Sequence, residues 1–144
     1  DAEYEYPIAA HISPGNAHDA SRASNVLSEA RYTTKQFHPQ YVLADKGYSG
    51  KPLYNLIKRQ YRAQPIIDPN PTHKRLMAEV AEMRQTIGWQ ALYSQRSSVE
   101  RVFSRLKGQR SLNHIRVRGI RKVTVHCYLA LIAMQATAIA LRCD

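Results

Sequence analysis

The chain has 144 residues, enough for one domain with a proper core, and carries 21 Lys+Arg against 11 Asp+Glu. A formal net charge of +10 makes a polyanion, most simply nucleic acid, the expected partner. The cysteines (Cys127 and Cys143) lack C-x2-C spacing, the histidines form no H-E-x-x-H cluster, and no secretory segment opens the sequence; free, mostly buried thiols are expected, and a zinc site is not.

In chain order, Tyr4–Ser13 reads as a strand closed by the turn residues Ser13-Pro14-Gly15-Asn16. Ala20–Arg31 has helical periodicity, with Ala23, Val26, Leu27 and Ala30 at core spacing and Asp19 placed to cap its N-terminus. Tyr41–Asp45 is a second strand, Lys51–Gln60 a helix with Leu53, Leu56 and Ile57 inward, and Ala63–Ile67 a third strand. This alternation predicts adjacent parallel strands and an α/β fold. Thr72–Ile87 is helical in pattern but polar and is expected over the surface, with Trp89 and Leu92 pinning the chain back. Ser111–Arg118 reads as an extended connector.

Lys122–Arg142 is the most apolar stretch, long enough to suggest a membrane span. Thr124, His126, Gln135 and Thr137 interrupt it, so a packed helix and no membrane partner are expected. Positive charge is denser from Lys74 onward.

Two motifs carry chemistry. Tyr93, Arg96, Glu100 and Lys107 stand at the spacing Y-x2-R-x3-E-x6-K. On a continuous helix they fall within an arc of roughly 60°, with Leu92, Val99, Phe103 and Leu106 on an adjoining inward arc. One carboxylate among cations along a ridge suits a phosphate backbone with a bound divalent metal. The plainer alternative is a solvated face whose Arg96–Glu100 pair adds about 0.3–0.5 kcal/mol. The other motif, Tyr41-Val-Leu-Ala-Asp45-Lys-Gly47-Tyr48, delivers Asp45 at the carboxyl end of a strand, where ligand sites of α/β sheets collect, and Gly47 lets the chain turn away. Its plainer alternative is that Asp45 begins a turn before the following helix.

The A-D-K-G-Y and Y-R-E-K motifs together resemble those of the DDE transposases of bacterial insertion sequences, in the branch with the Y-R-E-K signature. Pro14-Gly15-Asn16-Ala17-His18-Asp19, Pro65-Ile66-Ile67 and Arg101–Lys107 also resemble family segments, and the resemblance covers roughly Glu5 to Arg142.

It implies a ribonuclease H-like mixed sheet flanked by helices and a single truncated catalytic domain over residues 1–144. Asp45 and Glu100 would be catalytic and metal-binding, and Tyr93, Arg96 and Lys107 DNA-binding. The implied cofactor is Mg²⁺ (or Mn²⁺). The implied partner is DNA, at transposon ends and target, with homo-oligomerisation a matter for the complete protein. The implied location is the bacterial cytoplasm, in association with the nucleoid.

The family's first Asp has no evident counterpart. Asp1 is terminal, Asp19 reads as a cap, and Asp68 sits in a Pro- and Asn-rich loop. The chain is therefore expected to be a C-terminal part that lacks the N-terminal strands, binds metal weakly and does not cut DNA alone. The alternatives are a non-catalytic basic nucleic-acid-binding module, and a fragment that associates with an intact transposase through an exposed sheet edge.

Overall fold

The computed structural model describes residues 5–16 and 19–140, and the side chain of Asp19 is outside that description. Asp1, His18 and Cys143, and the cap expected of the Asp19 side chain, thus lie outside the described residues. The chain divides into two compact units, one of residues 18–96 and one of residues 1–17 with 97–144. Its elements make a mixed α/β fold, mostly helical.

In the 18–96 unit, helix α1 (Asp19–Thr33) precedes strand β1 (Tyr41–Ala44), a 3₁₀ turn (Lys46–Tyr48), helix α2 (Lys51–Gln60) and strand β2 (Gln64–Ile67). Helices α3 (Lys74–Arg84) and α4 (Ile87–Ser94) follow. The strands pair in parallel, Tyr41 opposite Gln64 through Ala44 opposite Ile67. A parallel pair needs a crossover, and α2 supplies it. Pro52 starts that helix where a missing N–H costs nothing, and Lys58 and Arg59 face its negative C-terminal end.

The core of this unit gathers Tyr54, Ile57 and Tyr61 of α2 and its cap, Ala63 and Ile67, and Leu76 and Val80 of α3. Leu27, Phe37, Val42 and Leu53 pack around it. Ile57 and Ile66 are wholly buried. Helix α3 lies over the surface with only Leu76 and Val80 buried. Two apolar residues at i, i+4 are enough to seat it, and its charged residues face out.

The other unit contains helix α5 (Ser98–Gln109), helix α6 (Ile120–Ala140) and the N-terminal segment. Leu106 packs with Ala130 and Met134, bordered by Val102, Leu112 and Leu131. The expected inward face of α5 is corrected here: Val99 and Phe103 are exposed, and Ser98, Val102 and Leu106 turn inward. Gly119 takes a left-handed φ of 88° just before α6, and its carbonyl accepts from Lys122 N and Val123 N.

Helix α6 has the length and composition to cross a membrane, with Val125, Leu129, Ile132 and Ile139 exposed. Its packing partner within its own unit is α5.

Tyr4–Ser13 was expected to be a strand, but residues 5–14 form none. Side chains of α5 and α6 satisfy its carbonyls instead: Gln135 Nε2 donates to Pro7 O at 2.6 Å, Tyr128 OH to Ala10 O at 2.9 Å, and Arg105 Nη2 to Glu5 O at 2.9 Å. Glu5 also takes an ion pair from Arg101 and one from Arg105 at 2.9 Å. The Arg101 hydrogen bond, first among these, holds the Glu5 carboxyl below its ordinary value of 4.5 against a smaller rise from desolvation.

Ile57→Ala is expected to cost about 2–5 kcal/mol in urea denaturation, whereas Phe103→Ala, at an exposed site, stays within about 0.5 kcal/mol. The depressed Glu5 pKa makes its contribution present above 4.5 and lost as pH falls below that value. Glu5→Gln should accordingly flatten the acid limb of the stability–pH curve.

Candidate functional site

Asp45 directly follows β1, and its Oδ1 accepts from Lys46 N at 2.6 Å, capping the 3₁₀ turn. Gly47 lies inside that turn without a left-handed φ, so the Asp45 cap, rather than glycine's freedom, turns the chain. Continuing the strand register by one residue sets Asp68 beside Asp45. Adjacent strands lie about 5 Å apart, so two carboxylates share the carboxyl end of the sheet. Asp68 opens the Pro- and Asn-rich loop in which the sequence places it. The signal that could have found it is its place directly after the second predicted strand.

Asp68 is 18% exposed. Arg84 Nη2 lies 2.7 Å from its Oδ1, a close charge contact whose angles do not make a hydrogen bond, and Lys46 Nζ lies 3.9 Å from Oδ2. The backbone beneath is fixed from α2, where the Tyr54 hydroxyl donates to Ile67 O. The two loops leaving the strands are also tied: Asn70 N donates to Ser49 Oγ at 2.9 Å, and Ser49 Oγ lies 3.1 Å from His73 Nδ1.

Tyr93 belongs to this same unit. Thr86 caps α4 by accepting from Trp89 N, and the helix then stacks Tyr93 on the buried Trp89, with ring centroids 4.9 Å apart and planes at 14°. The Arg96 guanidinium sits 5.4 Å from the Tyr93 ring centroid, a cation–π contact. Asp68, Met77, Arg84, Gln85, Trp89 and Tyr93 are among the residues that line an open cleft of 460 Å³.

The charges around the cleft reach both phenols. Burial pushes the Tyr54 hydroxyl up to about 12, with the Asp68 carboxylate adding to the rise. Burial likewise raises Tyr93 above 10.0; Arg96 opposes this, and the Asp68 and Asp45 carboxylates reinforce it. Tyr93 is thus kept as a neutral hydrogen-bond donor through the physiological range.

The Y-R-E-K spacing does not lie on one unbroken helix. A 3₁₀ turn at Gln95–Ser97 separates α4 from α5. At 3.0 residues per turn its three residues advance the phase by about 60° more than an α-helix would, so the arc drawn for one continuous helix does not carry through this segment. Tyr93 and Arg96 fall in the 18–96 unit, Glu100 and Lys107 in the other. On α5, Glu100 and Lys107 are exposed and two turns apart on one face.

The Asp45 carboxylate at the end of β1 offers hard oxygen ligands of the kind that Mg²⁺ or Mn²⁺ takes. No group of three or more His, Cys, Asp or Glu side chains gathers among the described residues. A cation here would take its remaining ligands from water and substrate phosphate, the usual habit of Mg²⁺. Cys127 is a half-buried free thiol whose burial raises its pKa, and nothing ties it to this chemistry.

A family model described as the transposase DDE domain matches residues 1–135 of the chain. No curated protein and no solved structure matches it.

The raised phenols set the sign of an alkaline effect. Their contribution is present below pH 10 and lost as pH rises through about 12. Tyr54→Phe, which also loses the bond to Ile67 O, should lower the urea midpoint at pH 7 yet show a shallower fall between pH 10 and 12 than the wild type.

Proposed function

Because the chain belongs to the transposase DDE-domain family, we propose that, as part of the complete protein, it serves metal-dependent DNA strand cleavage and strand transfer at transposon ends, in the Y-R-E-K branch and on a ribonuclease H-like scaffold, and does not cut DNA alone. The observation that carries this reading is Asp45 at the carboxyl end of a parallel strand, in the electrostatic reach of the signature residue Tyr93. Asp45 and Glu100, each in its own unit, are assigned the metal-holding carboxylates. A bound Mg²⁺ or Mn²⁺ activates the attacking water or 3′-hydroxyl and eases departure of the leaving oxygen.

The remaining residues hold the strand. The Tyr93 phenol, neutral and stacked, donates to a phosphate oxygen. The Arg96 guanidinium, braced over that ring, grips phosphate in a planar, two-donor mode, and Lys107 adds a point charge. The net charge of +10 favours approach of DNA from a distance. A bacterial cytoplasmic setting in contact with the nucleoid follows from such a substrate.

In a transposase that carries this domain, Asp45→Asn and Glu100→Gln should each abolish Mg²⁺-dependent strand cleavage while DNA binding persists. Cleavage surviving in either variant overturns the assignment of that carboxylate. Lys107→Ala should reduce the slope of log affinity against log salt by about one unit. An unchanged slope would remove Lys107 from the DNA contact.

A further inference from the structure

Among the described residues, four charged side chains gather at the end of the sheet, of which the cleavage reading uses one. Asp45 and Asp68 are the acids, and Lys46 and Arg84 are the bases. Both bases point their charge at Asp68: Arg84 Nη2 at 2.7 Å and Lys46 Nζ at 3.9 Å. Asp45 takes a backbone N–H on Oδ1, from Lys46. Lys46 is the next residue in the chain after Asp45, yet its ammonium reaches across to the neighbouring strand's acid.

We propose that Asp68 is a positioning residue for Asp45: by holding Lys46 and Arg84 it keeps both cations off the Asp45 carboxylate, whose charge is then available to a divalent metal. The inference rests on the assignment of Asp45 as a metal-holding group. With Asp68 in place the four charges sum to zero, and no side chain among the described residues neutralises Asp45. With Asp68 made neutral the sum is +1, and Lys46 is left with Asp45 as the acid at this end of the sheet. An ammonium beside a carboxylate competes directly with a divalent cation for the same oxygens.

The geometry is stable enough for this role. Each acid directly follows the last paired residue of its strand, Ala44 opposite Ile67, and Tyr54 holds Ile67, the residue before Asp68. Ser49 bonds to Asn70 and so ties the turn that carries Lys46 to the loop that carries Asp68. Asp68 is the more enclosed of the two acids, and low exposure strengthens its hold on the cations by reducing solvent screening.

The test is Mn²⁺ binding, followed by loss of the free-ion EPR signal, on the wild-type chain, Asp45→Asn, Asp68→Asn, Lys46→Gln and the double variant Asp68→Asn/Lys46→Gln. Asp68→Asn is expected to raise the Mn²⁺ dissociation constant about three- to tenfold. Lys46→Gln should change little in the wild-type background and recover most of the loss in the Asp68→Asn background. That dependence on background separates positioning from a merely structural role, which removal of Lys46 would not repair.

Unchanged Mn²⁺ affinity in Asp68→Asn overturns the proposal. A loss that Lys46→Gln does not recover overturns it too, and makes Asp68 a ligand or a fold support. Should Asp68→Asn fail to fold, Asp68→Asn/Arg84→Met, which removes the whole ion pair, replaces it in the same comparison. Failure of the underlying reading looks different: the wild type then binds no Mn²⁺, or binds it equally well with Asp45→Asn, and both assignments fall together.

Discussion

The parallel pairing of β1 with β2 is the constraint on which the 18–96 unit depends. It is short, four residues on each strand, and gains its strength from what covers it. Ile57, Ile66 and Ile67 are almost fully removed from water, each worth about 1.5–3 kcal/mol in transfer free energy. The crossover helix supplies Ile57 from one turn and Tyr54 from another, so the element that connects the strands also seals them. Parallel pairing has a chemical consequence as well. Both strands end on the same side, and the residue following each is an aspartate.

Two carboxylates a strand spacing apart would repel if left bare. Arg84 and Lys46 relieve that repulsion unevenly, because both attend to Asp68. The enclosed acid is compensated and the exposed one is left to solvent. This division matches the physical cost of each state, since burying an unpaired charge is expensive and leaving one in water is not. The same field reaches Tyr54 and Tyr93 and favours their neutral forms. Cation, acid and phenol thus adjust one another within a single cleft.

The 1–17 and 97–144 unit is held differently. Its N-terminal segment has no ladder among the described residues, and long polar side chains from α5 and α6 take over the work of backbone partners. Arg105 serves the Glu5 carboxylate and the Glu5 carbonyl together, an arrangement that Lys could not reproduce with a single ammonium geometry. Arg110 likewise reaches Thr137 at 2.8 Å and ties the end of α5 to α6. Several of the cations that make this chain so basic are therefore structural, and net charge alone overstates how many face a polyanion.

The sequence by itself determined the elements whose periodicity is strong: α2 at Lys51–Gln60, both strands of the parallel pair, and the long apolar helix, read from Lys122 and observed from Ile120. It also determined the family, through the match of the transposase DDE-domain model over residues 1–135. It misled where a local pattern needed a partner to become structure. Tyr4–Ser13 reads as a strand, but among the described residues nothing offers it a ladder, so it is pinned by side chains instead. Val99 and Phe103 fit an inward helical arc, but the 3₁₀ turn at Gln95–Ser97 resets the phase, and Val102 and Leu106 take the core. Asp68 reads as a loop residue because sequence distance hides register; only the pairing of Ala44 with Ile67 makes it the neighbour of Asp45. Period and composition are properties of a segment, and the chain displays them directly. Which charges meet is a property of strand register and helix phase, and these were decided only when the segments packed.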